Sequence, residues 1–249
     1  MLELKNLTFT VEDEDGSRRD ILSDVSLTIE DGRFIVVTGP NGSGKSTLAK
    51  LIMGIEKPTS GRIFFDGEDI TEMSVTDRAR LGISFAFQQP VRFKGITVLD
   101  LLRIASGREL SVSEACGYLS AVGLCAKDYI RRETNASLSG GEIKRIEIAT
   151  VLARSTRLAV FDEPEAGIDL WSFQNLTHEF TKLRENMNGS IMIISHQERI
   201  LDIADEIILL TDKGIARRGT KDEIMPEILG TSAAVNMCTG NQSFAGVIR

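Results

Sequence analysis

Lys45 and Ser46 close the string Gly39-Pro40-Asn41-Gly42-Ser43-Gly44-Lys45-Ser46, which fits the pattern G-x-x-x-x-G-K-[ST]. Glycines at those places let successive backbone N–H groups converge on phosphate oxygens, and a helix beginning there adds the positive end of its dipole. In such a loop Lys45 is expected to reach the β- and γ-phosphates of a nucleotide, with the Ser46 hydroxyl ligating Mg²⁺. The bland alternative is a glycine-rich turn bearing a solvated lysine. It loses ground because the string lies between a predicted strand and a predicted helix. A second string, Leu158 to Phe161, is apolar and ends in Asp162-Glu163-Pro164. Ligands of open α/β sheets bind at the carboxyl ends of strands, so both acids are expected beside the phosphate loop. There Asp162 joins the Mg²⁺ shell and Glu163 accepts a proton from the attacking water. The lesser alternative is two acids that cap the following turn, and the pairing with the phosphate loop leaves it little room.

Two further strand ends carry polar groups: Gln88 after Ser84 to Phe87, and His196 after Ile191 to Ser195. A lone histidine after a strand is ordinarily a structural hydrogen bonder. After a third core strand beside a nucleotide, His196 reads instead as a γ-phosphate contact. The string Leu138-Ser139-Gly140-Gly141-Glu142 is on its face a capping box, Ser139 with Glu142 three residues on. Ile143, Ile146 and Ala149 then form the buried stripe of a helix. Yet Ser-Gly-Gly also leaves bare N–H groups at a positive helix end, an anion site expecting its anion from elsewhere.

These residues need strands that end together. Arg33 to Thr38, Ile83 to Phe87, Leu158 to Phe161, Ile191 to Ser195 and Ile207 to Leu210 are apolar runs, as a parallel sheet covered on both faces requires. They alternate with amphipathic stretches, one running from the phosphate loop to Ile52, and the alternation predicts an α/β fold. Leu2 to Val11 and Leu27 to Ile29 alternate in polarity and predict an antiparallel hairpin at the edge. From about Val98 to Ala153 the pattern is helical. Leu99, Leu102, Ile104 and Ala105 mark one helix; Ser111 to Val122 marks another, opened by Ser111 or Ser113 with Glu114 in its first turn. A single domain is expected, with an α/β core over about 1–88 and 154–230, a helical subdomain over about 89–153 and a tail over 231–249.

Composition narrows the class. The chain has 249 residues, 42% of them apolar, and a formal charge of −7. That excludes wholesale disorder and disfavours nucleic acid, because Arg18-Arg19, Arg131-Arg132 and Arg217-Arg218 are separated pairs rather than a basic block. No apolar run is long enough to span a bilayer, so no direct membrane insertion is expected, and the amino terminus lacks a secretory pattern. Cys116, Cys125 and Cys238 are odd in number and widely spaced, which argues against a disulfide framework and for a reducing, cytoplasmic setting. Cys116 and Cys125 are expected to be buried structural thiols, and no metal ligand is expected beyond those of Mg²⁺. Val91, Phe93 and Ile96 form either an exposed docking patch or part of the core.

Through the phosphate loop, Gln88, the Leu138–Glu142 string, Asp162-Glu163, Ala166-Gly167-Ile168-Asp169 and His196, the sequence resembles the ABC ATPase family over almost its whole length. The resemblance implies a P-loop NTPase core with a mostly parallel sheet, an antiparallel β subdomain and an inserted helical subdomain. It also implies Mg²⁺-dependent ATP hydrolysis by a homodimer, or by paired subunits, with two ATP molecules held head to tail between them. Glu163, His196, Lys45 and Gln88 become the catalytic set, and Ser46, Gln88 and Asp162 the Mg²⁺ set. Nucleotide binding then falls to Gly39 through Ser46, Thr47, Ser139, Gly140, Gly141 and Asp169. Ser139 and Gly141 of one chain would close over the γ-phosphate held by Lys45 of the other, with Asp169 at the seam and Gln88 reporting the nucleotide state to a partner. Val11-Glu12-Asp13, Ala86 to Val91, Leu138 to Ile148 and Ser195 to Leu201 look like the Suf-type ATPase of iron–sulfur cluster assembly, which implies a soluble Suf-type scaffold as partner. Glu142, in place of the glutamine usual in transporter cassettes, fits that pattern. The alternative is the nucleotide-binding subunit of a membrane ABC transporter. Val11 stands where many cassettes carry an adenine-stacking aromatic, and Phe9, two residues away, is expected to substitute.

Overall fold

The computed structural model describes residues 1–226 and 228, apart from 136, 155, 187 and 188. Cys238 and the tail from 231 lie outside the described residues. The frame is a six-stranded sheet built from β3 (Phe34–Thr38), β6 (Ile83–Ala86), β7 (Leu158–Asp162), β8 (Ser190–Ile194), β9 (Glu206–Thr211) and β10 (Gly214–Gly219). Their order is β10-β9-β3-β8-β7-β6. All neighbours pair in parallel except β10, which closes the edge antiparallel to β9. Every residue of β3, β7 and β8 is buried, because both faces of these strands are covered.

Alternation along the strands sorts their side chains into two cores. Phe34, Val36, Ala159, Phe161, Ile191, Ile193 and Ile207 join the helical side. There they meet α6 (Gly140–Ala153) and α7 (Leu170–Asn186) through residues such as Ile148, Phe173 and Phe180. Ile35, Val37, Val160, Met192, Ile194, Ile208 and Leu210 join the other side, with Leu48, Leu51 and Ile52 of α1 (Lys45–Met53). That second core is roofed by a separate four-stranded antiparallel sheet of β1 (Leu2–Glu12), β2 (Arg18–Ile29), β4 (Ser60–Phe65) and β5 (Glu68–Asp69), in the order β2-β1-β4-β5. The hairpin expected at the sheet edge is therefore the nucleus of its own sheet. Leu2, Leu4 and Leu7 join the shared core with Leu48, Leu51 and Ile52 of α1.

The helical segment is as patterned. In α3 (Val98–Ser106) the Thr97 side chain accepts from the N–H of Asp100, and Gly107 closes the helix in the left-handed region at φ 64°. In α4 (Val112–Ala121) Ser111 and Glu114 form a reciprocal capping box, so Ser111 rather than Ser113 is the cap. Both helices pack on α6. Cys116 is half-buried and Cys125 exposed, which corrects the expectation for Cys125: it sits at the start of the short α5 (Ala126–Tyr129), outside the core. Of the undecided apolar trio, Val91 and Phe93 are exposed and Ile96 is half-buried. None of the described helices is long and apolar enough to cross a membrane.

Candidate functional site

The phosphate loop leaves the carboxyl end of β3, where β8 and β9 flank it on either side. Its backbone can take this path only because of its glycines. Gly39 runs so close to β9 that a Cβ would stand 1.9 Å from the Leu210 carbonyl oxygen. Gly44, the residue capping α1, holds φ 95° in the left-handed region, and a Cβ there would meet Leu22 Cδ2 at 2.6 Å. No side chain caps α1 and no acid occupies its first turn, so the N–H groups of that helix end remain available to an anion. The far end is secured by Arg78 of α2 (Val75–Arg80), a fully buried arginine whose Nη1 donates to the carbonyls of Leu51 and Ile52 at 2.6 and 2.8 Å. A buried cation on those carbonyls complements the negative helix end and fixes α1 in place.

Lys45 is buried, and its Nζ donates to the carbonyl oxygens of Gly39 and Pro40, both at 2.8 Å. Burial lowers its pKa, and the charges of Glu163 and Asp162 pull it back up. Ser46 Oγ donates to Asp162 Oδ1 at 3.1 Å, which joins the start of α1 to the end of β7. Burial raises the Asp162 carboxyl, the Ser46 hydrogen bond opposes that, and the neighbouring Glu163 charge adds to it. Glu163 follows in the left-handed region at φ 46°, a conformation that strains a residue with a Cβ and collects at functional sites. Its Oε2 accepts from Gln88 Nε2 at 2.7 Å. His196 lies across from them, with Nδ1 3.5 Å from Thr38 Oγ1. Surrounding protein and the Lys45 charge lower its pKa, and the Glu163 charge raises it.

The expected residues thus meet in one cleft of about 690 Å³, whose lining includes Gly42, Lys45, Ser46, Thr47, Gln88, Glu163 and His196. Asn41 and Gly44 line it too; Gly39, Pro40 and Ser43 belong to the loop beneath. The donor set suits Mg²⁺, which keeps waters and takes one or two carboxylates plus phosphate oxygens. One hydroxyl and one buried carboxylate stand together, and the described residues include no cluster of three or more acids, histidines or cysteines that could cage a metal by themselves. The loop also keeps Ser43 Oγ buried without a partner, a donor left over for a ligand oxygen. Arg19 and Ile21 of β2 line the same cleft and escaped the sequence reading. They fall outside the two stretches whose alternation predicts the hairpin, and what brings them here is the close approach of Leu22 to Gly44. Phe9, expected to stack on adenine, instead leans on the apolar core. The register shifts on either side of Phe9 add their extra residues to β2, so Phe9 keeps the strand face it shares with Val11, and that face packs on the core at Phe9 rather than lining the cleft.

Ser139, Gly140, Gly141 and Asp169 are absent from the lining of this cleft. They form a second locus at the start of α6, where a Cβ on Gly141 would stand 2.8 Å from the Gly167 carbonyl oxygen. The capping box is complete, with Ser139 Oγ accepting from the Glu142 N–H at 3.2 Å and Glu142 Oε2 accepting from the Ser139 N–H at 2.6 Å. The chain therefore carries an anion of its own at this helix end, contrary to the expectation from the sequence. Hydrogen bonds from Tyr129 and the Ser139 backbone hold the Glu142 carboxyl below its ordinary pKa. Five residues on, fully buried Lys144 ties the two loci together by donating to the carbonyls of Phe87, Gln88 and Asp162.

The sequence profile of the ABC transporter family matches residues 22–166. An ABC transporter ATP-binding protein of Methanocaldococcus jannaschii is 38% identical over 83% of this chain and 85% of its own length. The ATP-dependent transporter ycf16 of Antithamnion sp. is 35% identical over 90% and 93%. The energy-coupling factor transporter ATP-binding protein EcfA2 of Clostridium acetobutylicum is 34% identical over 91% and 82%. Among solved structures, the dimeric post-hydrolysis state of an ATP-binding cassette bound to ADP and Pi superimposes with a TM-score of 0.79. It is 25% identical and covers 89% of this chain and 99% of that one.

Proposed function

This chain belongs to the ABC transporter family, and on that premise we propose that it is the motor subunit of a larger assembly, working as a head-to-tail pair. It is an ABC-type ATPase that hydrolyses ATP with Mg²⁺. The observation that carries the residue assignment is the meeting of Ser46, Asp162, Gln88, Glu163 and His196 at neighbouring strand ends around Lys45. Lys45 exchanges its two carbonyl partners for the β- and γ-phosphate oxygens, while Ser43 and the free N–H groups of α1 hold the remaining phosphate oxygens. Ser46, Asp162 and Gln88 would hold Mg²⁺, which neutralises charge on the phosphates. Glu163, oriented by Gln88, takes a proton from the water that attacks the γ-phosphorus, and ADP leaves as the bond to its β-phosphate oxygen breaks. His196, kept neutral by its surroundings, contacts the γ-phosphate. Ser139, Gly140 and Gly141 of the second chain close on the same phosphate, with Asp169 at the seam. Closure is favoured only while that phosphate bridges both chains, so hydrolysis releases the pair.

The partner that receives this motion docks beside Gln88, where Phe87, Val91 and Phe93 stand exposed. The names of the relatives support a membrane-spanning transporter chain as that partner. A soluble iron–sulfur scaffold is the second reading, supported by the strings Val11-Glu12-Asp13, Ala86–Val91, Leu138–Ile148 and Ser195–Leu201 and by Glu142 in place of glutamine. A tagged pull-down separates the two. A multi-span chain recovered only after detergent extraction establishes the transporter. A stoichiometric soluble partner from detergent-free extract establishes the scaffold.

A further inference from the structure

The loop after β7 and the turn after β8 meet through a carboxylate that the hydrolysis scheme leaves unused. Strand pairing continues one step past the sheet, with the Glu163 N–H donating to the Ile194 carbonyl at 3.0 Å. The chain then folds back, and the Glu165 side chain returns across the gap, where its Oε1 accepts from Ser195 Oγ at 2.6 Å. The backbone N–H groups of Glu165 itself and of His196 also favour the charged form of this carboxyl. Ser195 is fully buried, and its Oγ in turn accepts from the Gln197 N–H at 3.0 Å. Through Ser195 this carboxylate reaches the Gln197 N–H as well. Its other oxygen, Oε2, is buried with no hydrogen-bond partner among the described residues.

We propose that Glu165 and Ser195 are a positioning pair that sets the turn carrying His196 against the loop carrying Glu163. Among the described residues the imidazole itself has only the long contact to Thr38 as a hydrogen-bond partner, so its place in the cleft is inherited from the backbone beneath it. Leaving one oxygen of a buried acid without a partner costs free energy, and the fold carries that cost where Glu165 joins the two loops. Burial raises the Glu165 carboxyl, the Ser195 hydrogen bond works against that, and its charge is felt by buried Lys144. Glu165 therefore links three things: the hydrolytic loop, the histidine turn and the lysine that binds the Gln88 backbone. The functional half of the inference rests on the reading of His196 as a γ-phosphate contact; the positional half stands without it.

The chain has two histidines, His178 and His196, so histidine-selective isotope labelling gives a spectrum with two sets of imidazole signals. Ser195→Ala and Glu165→Ala are expected to shift the His196 signals and leave His178 in place. They are also expected to lower kcat for ATP about 10-fold with KM within about 2-fold, because the phosphate loop is untouched. Glu165→Gln keeps an acceptor at Oε1 and is expected to restore both the signals and most of the turnover. Should Glu165→Ala fail to fold, Ser195→Ala carries the test. Unmoved His196 signals in Ser195→Ala, or Glu165→Gln as defective as Glu165→Ala, overturn the pair. Shifted signals with unchanged kcat keep the pair and overturn the role of His196.

Discussion

Two helix ends in this chain are proposed to meet the phosphates, and they are prepared in opposite ways. α1 begins with a left-handed glycine, has no side-chain cap and has no acid in its first turn. α6 begins with Ser139, a complete capping box and the carboxylate of Glu142. The first end leaves its N–H groups unsatisfied and surrounds them with a buried lysine and a loop that only glycine can follow. The second bonds the N–H groups of Ser139 and Glu142 within its own capping box and holds its own negative charge close by, with Tyr129 bonded to it. The same dipole thus gives a strong resident site in one place and a weak, conditional one in the other. A site that must release after every turnover is better served by the weak end.

The largest effect is expected at the resident site. Lys45→Ala should lower kcat by at least about 100-fold, measured by phosphate release, since it removes the buried cation aimed at the transferring group. Next comes a comparison of glycines by thermal or denaturant unfolding. Gly44→Ala should cost about 1–3 kcal/mol, because it forces a Cβ into the left-handed region against Leu22. Gly140→Ala should stay within about 0.5 kcal/mol, since nothing lies within 4 Å of its Cβ position.

The charge at the second end gives a smaller effect. Glu142→Gln keeps the capping geometry but removes the resident negative charge. In a hydrolysis-deficient background it should tighten ATP-driven pairing about 2- to 5-fold by sedimentation, in line with about 0.3–1 kcal/mol for a charge at a helix end. No change, or weaker pairing, would break the comparison between the two ends. Smallest is a titration. The His196 imidazole should have its midpoint below 6.5, the ordinary histidine value. Removing the Lys45 charge should move that midpoint up, and Glu163→Gln should move it down.

What could be read from the sequence was what is local. The phosphate loop is one contiguous string, the Ser111 and Ser139 caps are set by spacing three, and strands buried on both faces announce themselves as apolar runs. β10 was invisible because Ala216 to Arg218 are exposed, and only pairing with β9 makes them a strand. Arg19 and Ile21 reach the cleft because a separate sheet lies over Gly44, a fact of tertiary packing. Nothing local in the sequence marks Lys144, which is fully buried on three carbonyls. Glu165 and Ser195 are thirty residues apart in the chain and meet only because β7 and β8 are neighbours.

The central claim is that Glu163 performs the chemistry while the anion sites of two chains perform the closure. It is tested most directly with Glu163→Gln, by sedimentation and phosphate release on the same sample with and without Mg²⁺-ATP. The account predicts turnover reduced by at least about 100-fold together with an ATP-dependent pair that persists instead of dissociating. Normal turnover in that variant, or a chain that stays single with ATP bound, would contradict it.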